Sequence, residues 1–300
     1  MYKIVEENTE LDYVVLSNRD SSTTARVCLN EGGRITKLLV NSIKVISGTP
    51  SNYKKDYASA ILFPFANRIK HGEYVFNNSK YKLVCNEEAN KNAIHGLVYN
   101  KYFKVIDKDI STDFCSITLR YIEKDGCEGF PFKYSITVKY TLKEESLLLK
   151  ITIKNDDDKS FPFTLGWHPY FLSSNLFNSK LSFSSNANYK SNKQGIVIGK
   201  EDLKEEMPML LKNRKFDDAY VLQSDLVKFI TPNYQLQLES SAEHNFLQIY
   251  TPDLSDRIAI EPMTGVSDSF NNNIGKQIIC SNDDYSIEWQ IKIITNTLNN

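Results

Sequence analysis

Apolar and polar residues alternate one for one through most of this chain. In "FKYSITVKYTL" (132–142), Tyr134, Ile136, Val138 and Tyr140 fall on one side of an extended backbone. Leu147, Leu149, Ile151 and Ile153 do the same in "SLLLKITIKN" (146–155), as do Ile287, Trp289, Ile291 and Ile293 in "YSIEWQIKII" (285–294). Successive strand side chains point to opposite faces, so a period of two buries one face and wets the other; a helix needs spacings of three and four. "YQLQLESS", "FLQIYTP" and "RIAIEPM" read as shorter strands, and "GEYVFNNSKYKLV" (72–84) as a hairpin turning at Asn77–Asn78–Ser79.

Little of the chain competes with that reading. The best helical candidate is the charged "KEDLKEEMPMLL" (200–211), read as a surface excursion with a turn or two of helix, limited by Pro208. "KNDDDKS" (154–160) reads as a polar turn and "SSNANYKSNKQG" (184–195) as a polar loop. Roughly 20 short strands with few helices predict an all-β fold, a large antiparallel β-sandwich of two wide twisted sheets. The 300 residues show no flexible linker and no fixed repeat. We expect one domain over 1–300; the alternative is two packed β domains dividing near 155–160.

Charge narrows the partner. The formal net charge is −1, with 36 basic and 37 acidic residues, so no global field draws in nucleic acid or an anionic membrane. The expected partner is a small neutral molecule, with the protein a monomer or homodimer. Five scattered cysteines without a C-x-x-C pair argue against a disulfide framework or zinc cluster and fit a reducing, cytoplasmic setting. The first residues, "MYKIVEENTELDYVVL", carry charges where a secretory leader needs its apolar run, and no long apolar run predicts a membrane span. There is no P-loop, Rossmann glycine motif, nucleophile elbow or HExxH.

The chemistry-bearing candidates lie in five short segments. "FPFTLGWHPYF" (161–171) sets His168 among aromatic residues. It is either a core histidine satisfied by backbone or an acid–base group on the floor of a sugar-sized pocket, where aromatic faces meet sugar C–H groups. Trp167 is a candidate wall of that pocket. "NKNAIHGLVYN" offers His95, a satisfied loop histidine or a side chain at a sheet rim where Gly96 permits close backbone approach. "RIAIEPMTGVSDSFN" (257–271) offers Glu261, out of phase with Ile258 and Ile260 and so not necessarily buried with them. It is an ordinary strand glutamate or a base held firm by Pro262. "FPFANRIKHGEY" (63–74) offers Asn67 and Arg68, a surface pair or a fork for vicinal hydroxyls. "KFDDAYVL" (215–222) offers Asp217 or Asp218. His71 and His244 read as surface residues.

Taken in order, "FPFANRI", "NAIHGLV", "GWHPYF", "FDDAYVL" and "IEPMTG…SDSFN" resemble the aldose 1-epimerase, or galactose mutarotase-like, family, most closely its divergent bacterial branch. The resemblance implies a β-supersandwich and interconversion of the α and β anomers of a free hexose without cofactor or metal. It implies Glu261 as general base toward the C1 hydroxyl and His168 as general acid toward the ring oxygen. His95 would assist there or orient the sugar, and Arg68, Asn67 and Asp217 would hold hydroxyls. Three rivals keep parts of this pattern. A hexose-6-phosphate 1-epimerase needs a basic rim, for which Arg68, Lys70 and Arg214 are available. A non-catalytic carbohydrate-binding sandwich would not need the His168/Glu261 pair. A glycoside hydrolase would use Glu261 with Asp217 as its two carboxylates.

Overall fold

The alternating segments form strands at the predicted places. In the computed structural model, which describes residues 1–48, 53–243 and 245–295, they span Tyr134–Leu142, Ser146–Asn155 and Asp284–Thr295. These three lie side by side and antiparallel, pairing Val138 with Ile151 and Ile151 with Ile287. Directly opposed residues of an antiparallel pair share a face, so the three apolar stripes merge into one sheet of core-facing side chains. Trp289 is fully buried, and its one polar atom donates to Ser240 Oγ at 3.1 Å. At about 25 cal/mol per Å² of apolar surface, such merged stripes supply the main drive for collapse.

The protein is the expected antiparallel β-sandwich. One 15-stranded sheet runs through most of it, and a separate five-stranded meander forms from Lys3–Asn8 to Ile43–Ser47. A continuous apolar cluster from Tyr2 to Ile293 fills the interior and takes in residues on both sides of 155–160. On that ground we propose a single domain. Among the described residues there are two α-helices, Tyr53–Asp56 and Ser269–Asn272, of four residues each, and no helix there is long and apolar enough to cross a membrane. All five cysteines are free.

Two expectations fail. Residues 184–191 are not loop: they continue a 12-residue strand, Lys180–Ser191. It pairs on one side with Asp217–Ile230 and on the other with Val197–Asp202 and Met209–Leu210. Backbone pairing on both edges holds it, so it needs no clean apolar stripe, and its polar composition misleads. The 200–211 segment forms no helix; its ends belong to the Val197–Asp202 and Met209–Leu210 strands. The 72–84 hairpin is present, with a two-residue turn at Asn77–Asn78, both at positive φ (46° and 61°), and Ser79 already paired with Phe76.

Candidate active site

Three neighbouring strands build the floor of a cavity of about 690 Å³. Glu261 on Arg257–Met263 stands directly across from Gln248 on Phe246–Tyr250, which stands across from Ala219 on Asp217–Ile230. The next row on the same face runs Tyr170, Ala259, Tyr250, Asp217. Glu261, Gln248, Tyr170, Tyr250 and Asp217 all line the cavity. Asp218 lies out of phase, in the row of Ile249 and Ile260, and faces away; Asp217 is the acid that belongs to the site.

The floor holds an unusual pair. Glu261 Oε1 lies 3.3 Å from His168 Nε2, with 2% of Glu261 and 5% of His168 exposed. Glu261 does lie out of phase with Ile258 and Ile260, as read, but its face is also covered. Burial raises the Glu261 carboxyl well above its usual range, with Asp217 adding to the rise and Arg68 opposing it. Burial also pulls the His168 imidazole down to about 4. Both shifts favour the uncharged pair. Glu261 Oε2, His168 Nδ1 and His95 Nδ1 are buried and bond to no group among the described residues. Native interiors rarely leave such atoms unpaired, since each costs about 1–3 kcal/mol.

Local backbone explains how the histidines arrive there. His168 N–H donates to Ala60 O, and its own carbonyl accepts from Ser59 N–H. Its ring packs between Tyr170 and His95, each with centroids 5.1 Å away, and Tyr57 covers His95 at 4.7 Å. His95 sits at φ 62° and Asn67 at φ 59°, joined by a hydrogen bond from His95 N–H to Asn67 O. Left-handed non-glycine residues are costly and cluster at functional sites. Gly96 allows the close approach expected of it: a Cβ there would lie 2.2 Å from Phe63 O. Burial, then the neighbouring His168 and Arg68, hold the His95 imidazole well below its ordinary value.

The rim is polar. Arg68 is held by Glu87, with Nη2–Oε1 and Nε–Oε1 both 2.9 Å, and its Nη1 donates to Asn67 Oδ1 at 3.2 Å. The Asn192–Gly195 turn closes over the guanidinium so tightly that a Cβ on Gly195 would meet Nη1 at 2.5 Å. Gln248 links the two sides: it accepts from Asn67 Nδ2 at 3.4 Å and donates to Asp217 Oδ1 at 2.8 Å. Solvent reaches Asp217, yet surrounding protein raises its carboxyl, against the pull of Arg68.

Six of the seven candidates therefore converge: Glu261, His168, His95, Arg68, Asn67 and Asp217 all line one cavity. Trp167 does not. It is fully buried on the core side, its ring 6.5 Å from Phe171, and the aromatic walls are Tyr57, Tyr170 and Tyr250. The neighbour of a pocket residue on an extended backbone points the other way. His71, half-buried in a turn, lies outside the lining, and His244 lies outside the described residues. Lys70 and Arg214 are also outside it; Arg214 is paired with Glu205. The sequence reading missed Gln248, whose signal was an amide inside an apolar strand, and Glu87, which had none.

Comparison with known proteins agrees with this fold. The aldose 1-epimerase family model matches residues 13–292. The uncharacterized protein YihR of Escherichia coli (strain K12) is 24% identical over 259 residues, covering 82% of each chain. Galactose mutarotase of Bos taurus is 27% identical over 142 residues, 45% of this chain and 39% of its own. A galactose mutarotase-like protein from Clostridium acetobutylicum superimposes with a TM-score of 0.88 at 18% identity, over 98% of this chain and 99% of that one. A galactose 1-epimerase from Lactobacillus acidophilus does so at 0.81 and 16%, over 98% and 99%. With its family model matched along nearly its whole length, this chain belongs to the aldose 1-epimerase family.

Proposed function

We propose that the protein is an aldose 1-epimerase that exchanges the α and β anomers of a free hexose by opening and closing its ring. The observation that carries this reading is the buried Glu261–His168 pair, 3.3 Å apart, with a free carboxylate oxygen and free ring nitrogen beside it. Ring opening needs one proton removed from the C1 hydroxyl and one delivered to the ring oxygen. Sugar hydroxyls bonding to Glu261 favour its carboxylate, which places the shared proton on His168. Glu261 then takes the C1 hydroxyl proton, the C1–O5 bond breaks, and His168 gives its proton to O5. The pair is left uncharged, the state burial favours. Rotation about C1–C2 and the reverse transfers close the ring on the other face. A positioned acid or base contributes roughly 10²–10⁴-fold.

The remaining residues fit binding. His95 stands beside His168 to orient the ring-oxygen side, and Arg68, Asn67, Gln248 and Asp217 offer a chain of donors and acceptors to hydroxyls. The lining charges nearly balance: Lys54, Lys55, Arg68 and Arg257 against Asp56, Glu87, Asp217, Asp253 and Glu261. That balance suits a neutral sugar. A second reading, a hexose 6-phosphate, draws on Lys54 and Lys55, both exposed on the lining. Two-dimensional exchange NMR on glucose, galactose and glucose 6-phosphate separates them. Enhanced exchange of the free sugars supports the proposal, exchange of the phosphate alone supports the second reading, and none with any sugar contradicts both.

A further inference from the structure

A free arginine side chain has several rotatable bonds, and ordering them on a ligand weakens binding unless the fold has ordered them first. The Arg68 guanidinium is ordered in advance. Glu87 takes its Nε–H and one N–H of Nη2, and Asn67 takes one N–H of Nη1, three of its five donors. The Gly195 turn lies over the group: a Cβ there would meet Nη1, Cζ and Nε at 2.5, 2.6 and 2.8 Å. Behind Glu87 stands Asn92, fully buried and outside the cavity lining. Its Nδ2 donates to Glu87 Oε2 at 2.8 Å and to Gln194 O at 3.1 Å, and its Oδ1 accepts from His71 N–H at 3.1 Å. The backbones of Glu87 and Asn92 bond each to the other, at 3.0 and 3.3 Å. The turn has its own locks: Asn192 Oδ1 accepts from Gln194 and Ile196 N–H, and Ser267 Oγ donates to Gly195 O at 2.7 Å. Any buried amide demands partners. What singles out Asn92 is that both Nδ2 bonds end on the two groups that confine Arg68.

We infer that Glu87 and Asn92 are positioning residues that act through Arg68: they set its guanidinium beforehand, so that its two remaining N–H groups meet sugar hydroxyls without an ordering cost. This rests on the epimerase reading above. Asn92 has no place in the cavity, so its influence on the sugar passes through Glu87 and the turn. Glu87 also balances the charge of Arg68, which then serves as a fixed fork of donors and not as a free cation. A binding group held by a supporting layer of hydrogen bonds is more precise than one left to find its own rotamer.

The test uses Glu87→Ala and Asn92→Asp, the second keeping shape while turning an acceptor toward Glu87 in place of a donor. Freezing one flexible side chain is worth about fivefold in affinity, so each variant should raise KM for glucose or galactose exchange by about that factor, with kcat within about twofold of wild type. On an Arg68→Ala background neither change should move KM by more than about twofold, because the group it positions is gone. Nitrogen–proton NMR of the Arg68 guanidinium, assigned by its loss in Arg68→Ala, reads the clamp without the reaction. Wild type should show a slowly exchanging Nε–H and separate Nη signals, and both variants should average the Nη signals. Glu87→Ala, at a partly exposed position, carries the comparison if Asn92→Asp does not fold. A fall in Tm with KM unmoved is the mark of a merely structural role and would overturn the inference. So would a further fivefold rise in KM on the Arg68→Ala background, or averaged Nη signals in the wild type. No exchange of any sugar by the wild type would overturn the epimerase reading instead, and the arginine spectra would still decide the clamp.

Discussion

The two halves of the large sheet obey different rules. Across Tyr134–Leu142, Ser146–Asn155 and Asp284–Thr295, nine residues pair with nine in unbroken register, and the buried inward side chains are apolar apart from Asn155, whose amide is fully partnered by backbone groups. Around Gly166–Trp167 and Tyr170–Leu172 the strands shrink to two and three residues. There the buried groups facing the cavity include His168, Glu261 and Gln248, and residues such as Asn67 and His95 hold left-handed backbone. The first half satisfies every local preference at once. The second breaks several in one place, and those breaks mark where stability is traded for chemistry. The contrast teaches where to look: at the spot where burial and polarity coincide without partners.

Mutations in the two halves should therefore fail in different ways. Glu261→Gln keeps shape and loses basicity; it should cut kcat by roughly 10²–10⁴-fold, and adding His168→Asn should cost little more, since the pair acts as a unit. Full additivity in steady-state kinetics would separate the two residues. Trp289→Ala, in the regular half, should cost about 3–5 kcal/mol in urea unfolding while the folded fraction keeps its kcat.

Protonation gives a third contrast. His168 titrates lower folded than unfolded, so its contribution to stability is whole above about pH 6.5 and declines as pH falls toward about 4. His168→Asn should flatten that acid decline, by on the order of 3 kcal/mol, in urea melts between those pH values. Glu261 has the opposite consequence. Its raised carboxyl penalises the folded state increasingly as pH climbs above about 4.3, the unfolded value, so Glu261→Gln should raise Tm at pH 8 and not at pH 4. Arg68→Ala should raise KM by about tenfold, more than it lowers kcat. His71→Ala, outside the cavity, should shift stability by about 0.5 kcal/mol or less and leave kinetics unchanged.

The regular half was legible because its alternation is a direct imprint of a two-faced sheet: Leu147 to Ile153 could face only one way. The polar Lys180–Ser191 strand was not legible, because backbone pairing on both edges leaves no imprint in side-chain type. In the site, His168 and Glu261 stood out as ionisable residues within apolar segments. Their meeting at 3.3 Å depends on strand order, which no local pattern carries, and it was the resemblance of five ordered motifs that joined them. Trp167 was misplaced for a plain reason: adjacency in sequence puts side chains on opposite faces. Asp217 and Asp218 could be told apart only by register, and Glu87 only by its contact with Arg68.

The most direct measurement is the approach to anomeric equilibrium of freshly dissolved α-D-glucose and α-D-galactose, followed by proton NMR with wild type and Glu261→Gln in parallel. The account predicts that wild type speeds equilibration of at least one sugar and that folded Glu261→Gln leaves it near the uncatalysed rate. Equal acceleration by both proteins would contradict the central claim that the buried Glu261–His168 pair moves the proton.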